Sequence, residues 1–320
     1  MRFVTAHASA AALFLSLFAL PAMPQELAKP VRIVVGFPPG TTGDVIARIM
    51  APRMAEGVGQ PVTVENRPGA GSSLAAEAVV RSTPDGTTLL ASTIANAINA
   101  SLYALPFDFD RDLAPVSFLA ETPGLLVAHP SAPAAMKDLI AAARAKPGAL
   151  QYGSSGNGTV THLWGELLAL DSGATFTHVP YKGSSQILAD ILEGRLALMF
   201  TPASTVIAQV KAGKLRALGA IAAKRISLLP DVPTLAESGI AGFDSGLWFG
   251  LNAPAATPRT TISRLNAEVA RVLSIAGVRE SLAAQSIIAA PGSSDDFGAF
   301  VRRETQKWAR VVKAAGVKAE

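Results

Sequence analysis

The chain repeats one local pattern: a short apolar run, a tight glycine-rich turn, then a stretch with helical amphipathicity. Residues 31–37 lead into Phe37-Pro38-Pro39-Gly40-Thr41-Thr42-Gly43-Asp44, and a helical pattern follows over 45–55. Residues 149–152 lead into Tyr152-Gly153-Ser154-Ser155-Gly156-Asn157-Gly158-Thr159, with helical spacing over 160–170. Strand patterns alternating with helix patterns build βαβ units, so the chain is constrained to an α/β fold with mostly parallel sheets flanked by helices. The same junction leaves the first N–H groups of each helix without intrahelical partners, at the positive end of the helix dipole. Such a junction is suited to an anion. Neither loop contains Lys or Arg. Two of them, over a hundred residues apart, predict two lobes facing one ligand across a cleft.

Further strands are expected at 62–65, 88–92, 176–181, 196–201 and 215–221, and helices at 73–81, 137–145, 185–192 and 205–211. Gly194 and Gly213 stand where helix ends need a left-handed residue. The alternation breaks twice. Residues 115–130 read as two extended segments split by Thr122-Pro123-Gly124, and 246–252 is extended again after a proline-rich stretch. Two such crossings divide the chain into a discontinuous lobe, 27–122 with 240–320, and a continuous one, 123–239. Helical patterns at 261–274 and 295–314 are expected to pack on the first lobe.

With 320 residues, 49% apolar and 16% charged, the chain can bury two cores and is no candidate for disorder. A net charge of +4 is spread thinly, and no Lys/Arg cluster interleaved with aromatics points to nucleic acid. Residues 1–22 read as a secretory signal: Arg2, an apolar run over 8–20, then Leu20-Pro21-Ala22. That run is short for a membrane span. Cysteine is absent, which removes thiol catalysis, thiolate metal sites and lipid attachment through sulfur. His129, His162 and His178 are scattered and lack metal-ligand spacing. The reading is an exported, periplasmic, monomeric protein without metal or cofactor.

Candidate ligand residues cluster at strand ends, where ligands of open α/β sheets sit. The first loop offers Phe37, Pro39, Gly40, Thr41 and Thr42. Asp44 stands at the expected helix N-cap, as a cap or as a ligand contact. Gly69, in the turn 66–73, and Thr93 and Ala95, after strand 88–92, extend the crevice. The second loop offers Ser154, Ser155, Asn157, Gly158 and Thr159. His162 falls one turn into the following helix, to pack, to cap or to donate to the ligand. Tyr181 either half-buries beside a turn or walls the cleft. Micromolar affinity needs about 8 kcal/mol. A helix N-terminus contributes at most ~2, and a hydrogen bond to a charged acceptor ~1.5–3. Two helix starts and several donors therefore hold a carboxylate without cations, provided closure excludes water. Catalytic readings are weak. Gly153-Ser154-Ser155-Gly156-Asn157 lacks the last glycine of a nucleophile elbow, and Gly69-Ala70-Gly71 lacks the third glycine of a dinucleotide loop.

These segments resemble the Bug-type solute receptors of tripartite tricarboxylate transporters. The likeness rests on Val34-Val35-Gly36-Phe37-Pro38-Pro39-Gly40 with Asp44, on Val64-Glu65-Asn66-Arg67-Pro68-Gly69-Ala70-Gly71, and on Tyr152 to Gly158 with His162-Leu163. It continues through His178-Val179-Pro180-Tyr181-Lys182-Gly183, Gly213 to Leu218, and Pro230-Asp231-Val232-Pro233-Thr234. The resemblance implies a two-lobed periplasmic binding protein fold of type II and no catalysis. It implies a small carboxylate held by both loops, partly through water, and delivery to a permease with a large and a small subunit. Thr41 departs from a glycine and Thr159 from a serine in the family pattern, so the ligand's size is open. A serine hydrolase on the same scaffold, and a sensory receptor for a signalling partner, are the competing readings.

Overall fold

A computed structural model describes residues 29–318; the proposed signal segment 1–22 lies outside the described residues. Two mixed α/β sheets make up the molecule. The first half opens with β1 (Val31–Val35), α1 (Thr42–Val58), β2 (Val62–Asn66), α2 (Ser73–Val80), β3 (Thr88–Thr93), α3 (Ile94–Leu102), α4 (Phe109–Asp112) and β4 (Leu113–Thr122). The chain then crosses at Pro123 into β5 (Gly124–Ala128), α5 (Met136–Ala145), β6 (Gln151–Ser154), α6 (Val160–Ser172), β7 (Thr177–Pro180), α7 (Ser184–Leu192), β8 (Leu198–Pro202), α8 (Ala203–Lys211) and β9 (Arg216–Ile221). It returns through β10 (Leu247–Pro254), α9 (Arg259–Ser274), α10 (Ala276–Ala283), β11 (Ile288–Ala289) and α11 (Ser294–Ala315).

Strand order is β11-β4-β10-β3-β1-β2 in the first sheet and β7-β6-β8-β5-β9 in the second. Strands β1, β2 and β3 pair in parallel, as do β6 with β7 and β8. The expectation of mostly parallel sheets needs one refinement. β10 lies antiparallel between β3 and β4, and β5 lies antiparallel between β8 and β9. Each is the first strand after a crossing. The parallel strands end at the junction between the sheets, so a strand that starts there must run the other way.

Apolar patterning accounts for the layers. Val31, Ile33 and Val35 face a core with Ile46, Met50 and Met54 of α1 and Leu265, Val269 and Val272 of α9, whereas Val34 faces the opposite core. Helices α7 and α8 cover the outer face of the second sheet through Ile187, Ile191 and Val206. The seam between the halves is helical: α3, α6 and α11 pack on one another. One continuous core runs through it, joining Ile98 to Leu163, Trp164 and Trp308. At the return crossing, Glu304 of α11 is buried and accepts hydrogen bonds from Trp248 Nε1 (2.9 Å) and Trp308 Nε1 (3.1 Å), with Lys307 as its ion-pair partner.

Two elements differ from expectation. Strand 88–92 runs on to Thr93, and α3, which the sequence pattern does not predict, starts at Ile94 because Thr93 makes a capping box with Asn96. The Thr93 hydroxyl accepts from Ala95 N–H and the Asn96 side chain from Thr93 N–H. Asp44 is not the N-cap of α1. That helix starts three residues earlier than expected, after Thr41, so Asp44 sits in its first turn.

Candidate functional site

A cavity of about 330 Å³ lies between the two sheets, beyond the ends of β1, β3 and β6. Three helix starts reach it: Thr41, Thr42 and Gly43 at α1, Thr93, Ile94 and Ala95 at α3, and Asn157 to Val160 at α6. Among the described residues, no Lys, Arg, Asp, Glu or His lines it. The remaining wall is mostly apolar, with Phe37, Ile98, Leu102, Leu247 and Phe249, plus Tyr103, Asn99 and Gly71. The size suits a small organic molecule.

Of the residues singled out from sequence, Phe37, Thr41, Thr42, Thr93, Ala95, Asn157, Gly158 and Thr159 line this cavity. Pro39, Gly40, Asp44, Gly69, Ser154, Ser155, His162 and Tyr181 lie outside its lining. Several of those eight hold the loops in place instead. Asp44 is buried, and its carboxylate accepts from Gly40 N–H (2.9 Å), Arg48 Nε (3.0 Å) and Asn66 Nδ2 (2.8 Å). Asn66 also donates to Phe37 O and accepts from Arg48 Nη2. Burial raises the carboxyl's pKa, but the hydrogen bonds from Arg48, Gly40 and Asn66 outweigh it and hold Asp44 below the usual carboxylate range. Its charge is thus matched outside the cavity lining.

Behind the second loop stands a stack of rings. His162 and His178 lie face to face at 3.8 Å and 8°, and Tyr152 stacks on His178 at 5.0 Å and 29°. Gly158 N–H donates to His162 Nδ1 (3.1 Å), which puts the imidazole proton on Nε2, 3.5 Å from Glu166. Tyr152 donates to the same carboxylate at 2.6 Å. Ser154 Oγ meets His178 Nε2 at 2.6 Å and accepts from Gly156 N–H. Burial and the neighbouring His162 push His178 down to about 4, against the pull of Glu166. Glu166 is raised by burial, yet the bonds from His162 and Tyr152 bring it below its ordinary value.

The hydroxyls are less available than the sequence suggests. Thr41 donates to Pro38 O (2.8 Å) and Thr159 to Gly156 O (2.7 Å), so both are turned onto their own loops. Thr159 also caps α6. Ser155 N–H donates to Thr161 Oγ1. Tyr181 donates to Asp190 at 2.5 Å, and burial followed by that carboxylate pushes it up to about 12. The Ser154–His178 contact is the one feature with the look of a nucleophile pair. Ser154 is fully buried, its oxygen engaged by Gly156 N–H, and no substrate atom could reach it.

Sequence reasoning missed Ile98 and Leu102 of the α3 wall and Leu247 of β10. Ile94, Ile98 and Leu102 recur at every fourth position, a helical stripe present in the sequence. Gly71 rather than Gly69 reaches the cavity. It is left-handed, φ 57°, and a side chain there would collide with Asn99.

Residues 46–317 match the tripartite tricarboxylate transporter family receptor, and the chain belongs to that family. It is 36% identical to protein BugT of Bordetella pertussis over 295 residues, covering 91% of this chain and 90% of BugT. A TctC solute binding protein from Polaromonas superposes with a TM-score of 0.83 at 25% identity, over 90% of this chain and 99% of that one. R. palustris Rpa4515 with adipate superposes at 0.71 with 34% identity, over 91% and 98%. The fold is that of two-lobed periplasmic binding proteins. The chain is a solute receptor of a membrane transporter, not an enzyme.

Proposed function

We propose that this receptor takes a small organic carboxylate into the cavity between its sheets. It then presents the ligand, in the periplasm, to a permease of one large and one small membrane subunit. The lobes would be 27–122 with 240–320 and 123–239, and the change of sheet at Pro123 and again before β10 supports that division. The observation that carries the reading is the meeting of three helix starts on one cavity without a cationic side chain. Backbone N–H groups and dipole ends are the positive potential in such a site. They act strongly only when water is excluded. Loop contacts across the cavity fit closure: a methyl placed on Gly158 would lie 2.7 Å from Leu102 Cδ2 of the opposite half.

Export is consistent with the 1–22 reading, and among the described residues no helix is long and apolar enough to cross a membrane. Ligand residues by this reading are the cavity-facing members of both loops and of the α3 start, with Asp44, Ser154 and His162 as their supports. The test is thermal stabilisation of the purified protein against carboxylates, sugars, amines and metal cations. Carboxylates are expected to raise the melting temperature. Stabilisation by sugars or cations, with none from any carboxylate, overturns the reading.

A further inference from the structure

One wall of the cavity is built on a strained turn. Gly69, Ala70, Gly71 and Ser72 follow one another with φ of 137°, 44°, 57° and 78°. Ala70 and Ser72 carry a Cβ, which left-handed backbone brings against the following carbonyl oxygen. Such a run persists only where its surroundings over-determine it. The turn closes on itself through Ser72 N–H to Gly69 O and Ser73 N–H to Ala70 O. The clamp comes from α3. Asn99, 5% exposed, donates from Nδ2 to Ala70 O (3.0 Å), Gly71 O (2.8 Å) and Ser73 Oγ (3.2 Å), and Asn96 Nδ2 reaches Ser72 O (3.4 Å). An amide nitrogen has two hydrogens, and here they are shared among three acceptors. A Cβ on Gly71 would lie 2.6 Å from Asn99 Nδ2, so the clamp occupies the space that a larger residue would need.

The same turn meets the root of the first glycine loop. Ser72 is fully buried, and a Cβ on Gly36 would collide with its side chain. Arg67 N–H donates to Val35 O (2.8 Å), and Asn66 Nδ2 to Phe37 O (3.0 Å). Phe37, Gly71 and Asn99 all line the cavity. Resting on the carboxylate reading above, we infer that Asn99 is a positioning residue for the ligand. It holds residues 70–72 left-handed, and the turn then fixes Gly71 in the wall and the first loop at its root.

Calorimetric titration with adipate, malate and benzoate compares the wild type with Asn99→Ala, Ala70→Gly and the double variant. Asn99→Ala should lose about tenfold or more in affinity for whichever of these acids the wild type binds, and Ala70→Gly alone should stay within about twofold. Glycine takes a left-handed φ freely, so the double variant should regain about threefold or more over Asn99→Ala. Rescue from position 70 is not expected of a residue that touches the ligand directly or only supports the fold. Wild-type affinity in Asn99→Ala, or a double variant no better than Asn99→Ala, overturns the inference. Hydrogen exchange of the unliganded protein gives a second readout that needs no ligand. Amides in 36–43 and 69–73 should exchange about tenfold faster in Asn99→Ala, with those of α9 unchanged. A first loop that keeps its wild-type exchange rate overturns the inference. Failure of the wild type to bind any of the three acids, with exchange as expected, supports the clamp and moves the failure to the carboxylate reading. Asn99→Ser, which keeps one donor, carries the same tests if Asn99→Ala does not fold.

Discussion

The two glycine loops both reach one cavity, yet they are held in different ways. The first is anchored by a charge: Asp44, 2% exposed, gathers Gly40, Arg48 and Asn66 around its carboxylate. The second is anchored by rings: His162 takes Gly158 N–H, and His178 meets Ser154. In both, the anchoring group lies behind the loop, so neither places a formal charge on the cavity wall. The loops should therefore fail under different conditions. An ion-paired carboxylate resists acid until it is itself protonated. A buried neutral imidazole is sensitive earlier, because the unfolded chain takes up the proton first.

The largest effect should come from removing the first anchor. Asp44→Ala strands three donors and is expected to cost about 2–4 kcal/mol of stability and at least tenfold in ligand affinity. Chemical denaturation and calorimetry measure the two. A wild-type affinity would show that the first loop does not depend on this carboxylate.

Acid should separate the loops next. His178 titrates at about 4 in the folded protein against an ordinary 6.5, so the unfolded state binds more protons between those values. Stability is fully present above about pH 6.5 and is lost as pH falls towards 4. His178 is half-buried, and the loss is expected to be about 2 kcal/mol after allowance for solvent screening. Asp44, whose pKa lies below 3.8, keeps its contribution throughout that window. Melting temperature followed from pH 7 to 4.5 should fall in the wild type and flatten in His178→Gln. An unchanged slope in the variant assigns the acid sensitivity elsewhere.

Legibility differed between the loops for a physical reason. Asp44 was visible as an acid at a helix start, although its role as an anchor required Asn66, which β2 brings back over twenty residues later. Glu166 stands four residues after His162 in the sequence, so helix spacing alone makes them neighbours. His178 could not be placed, because its stacking on His162 depends on β6 and β7 pairing in register, Tyr152 opposite His178.

Gly158→Ala tests closure more gently. Its φ of 70° disfavours any side chain, at about 1–2 kcal/mol, and the new methyl meets Leu102. Affinity is expected to fall about five- to tenfold, read by calorimetry, with the unliganded fold retained. The smallest effect should come from Thr41→Gly. Its hydroxyl serves the loop rather than the cavity, so stability should drop by only a few tenths of a kcal/mol. The extra room should shift preference towards bulkier acids in a displacement panel. A loss of all binding would give Thr41 a direct role as donor.

Local pattern was enough to establish the α/β class, the two strand–glycine–helix junctions, the absence of cations between them and the two crossings of the chain. Those properties depend on residues close in sequence, where periodicity and glycine placement carry the physics. Assembly settled the rest. The third helix start, the apolar stripe facing the ligand and the rings behind the second loop each join residues from separate strands and helices. Their chemistry depends on register between strands and on burial at the seam of α3, α6 and α11. A charge becomes an anchor, and His178 stays neutral well below its ordinary pKa, only through what the fold packs against them.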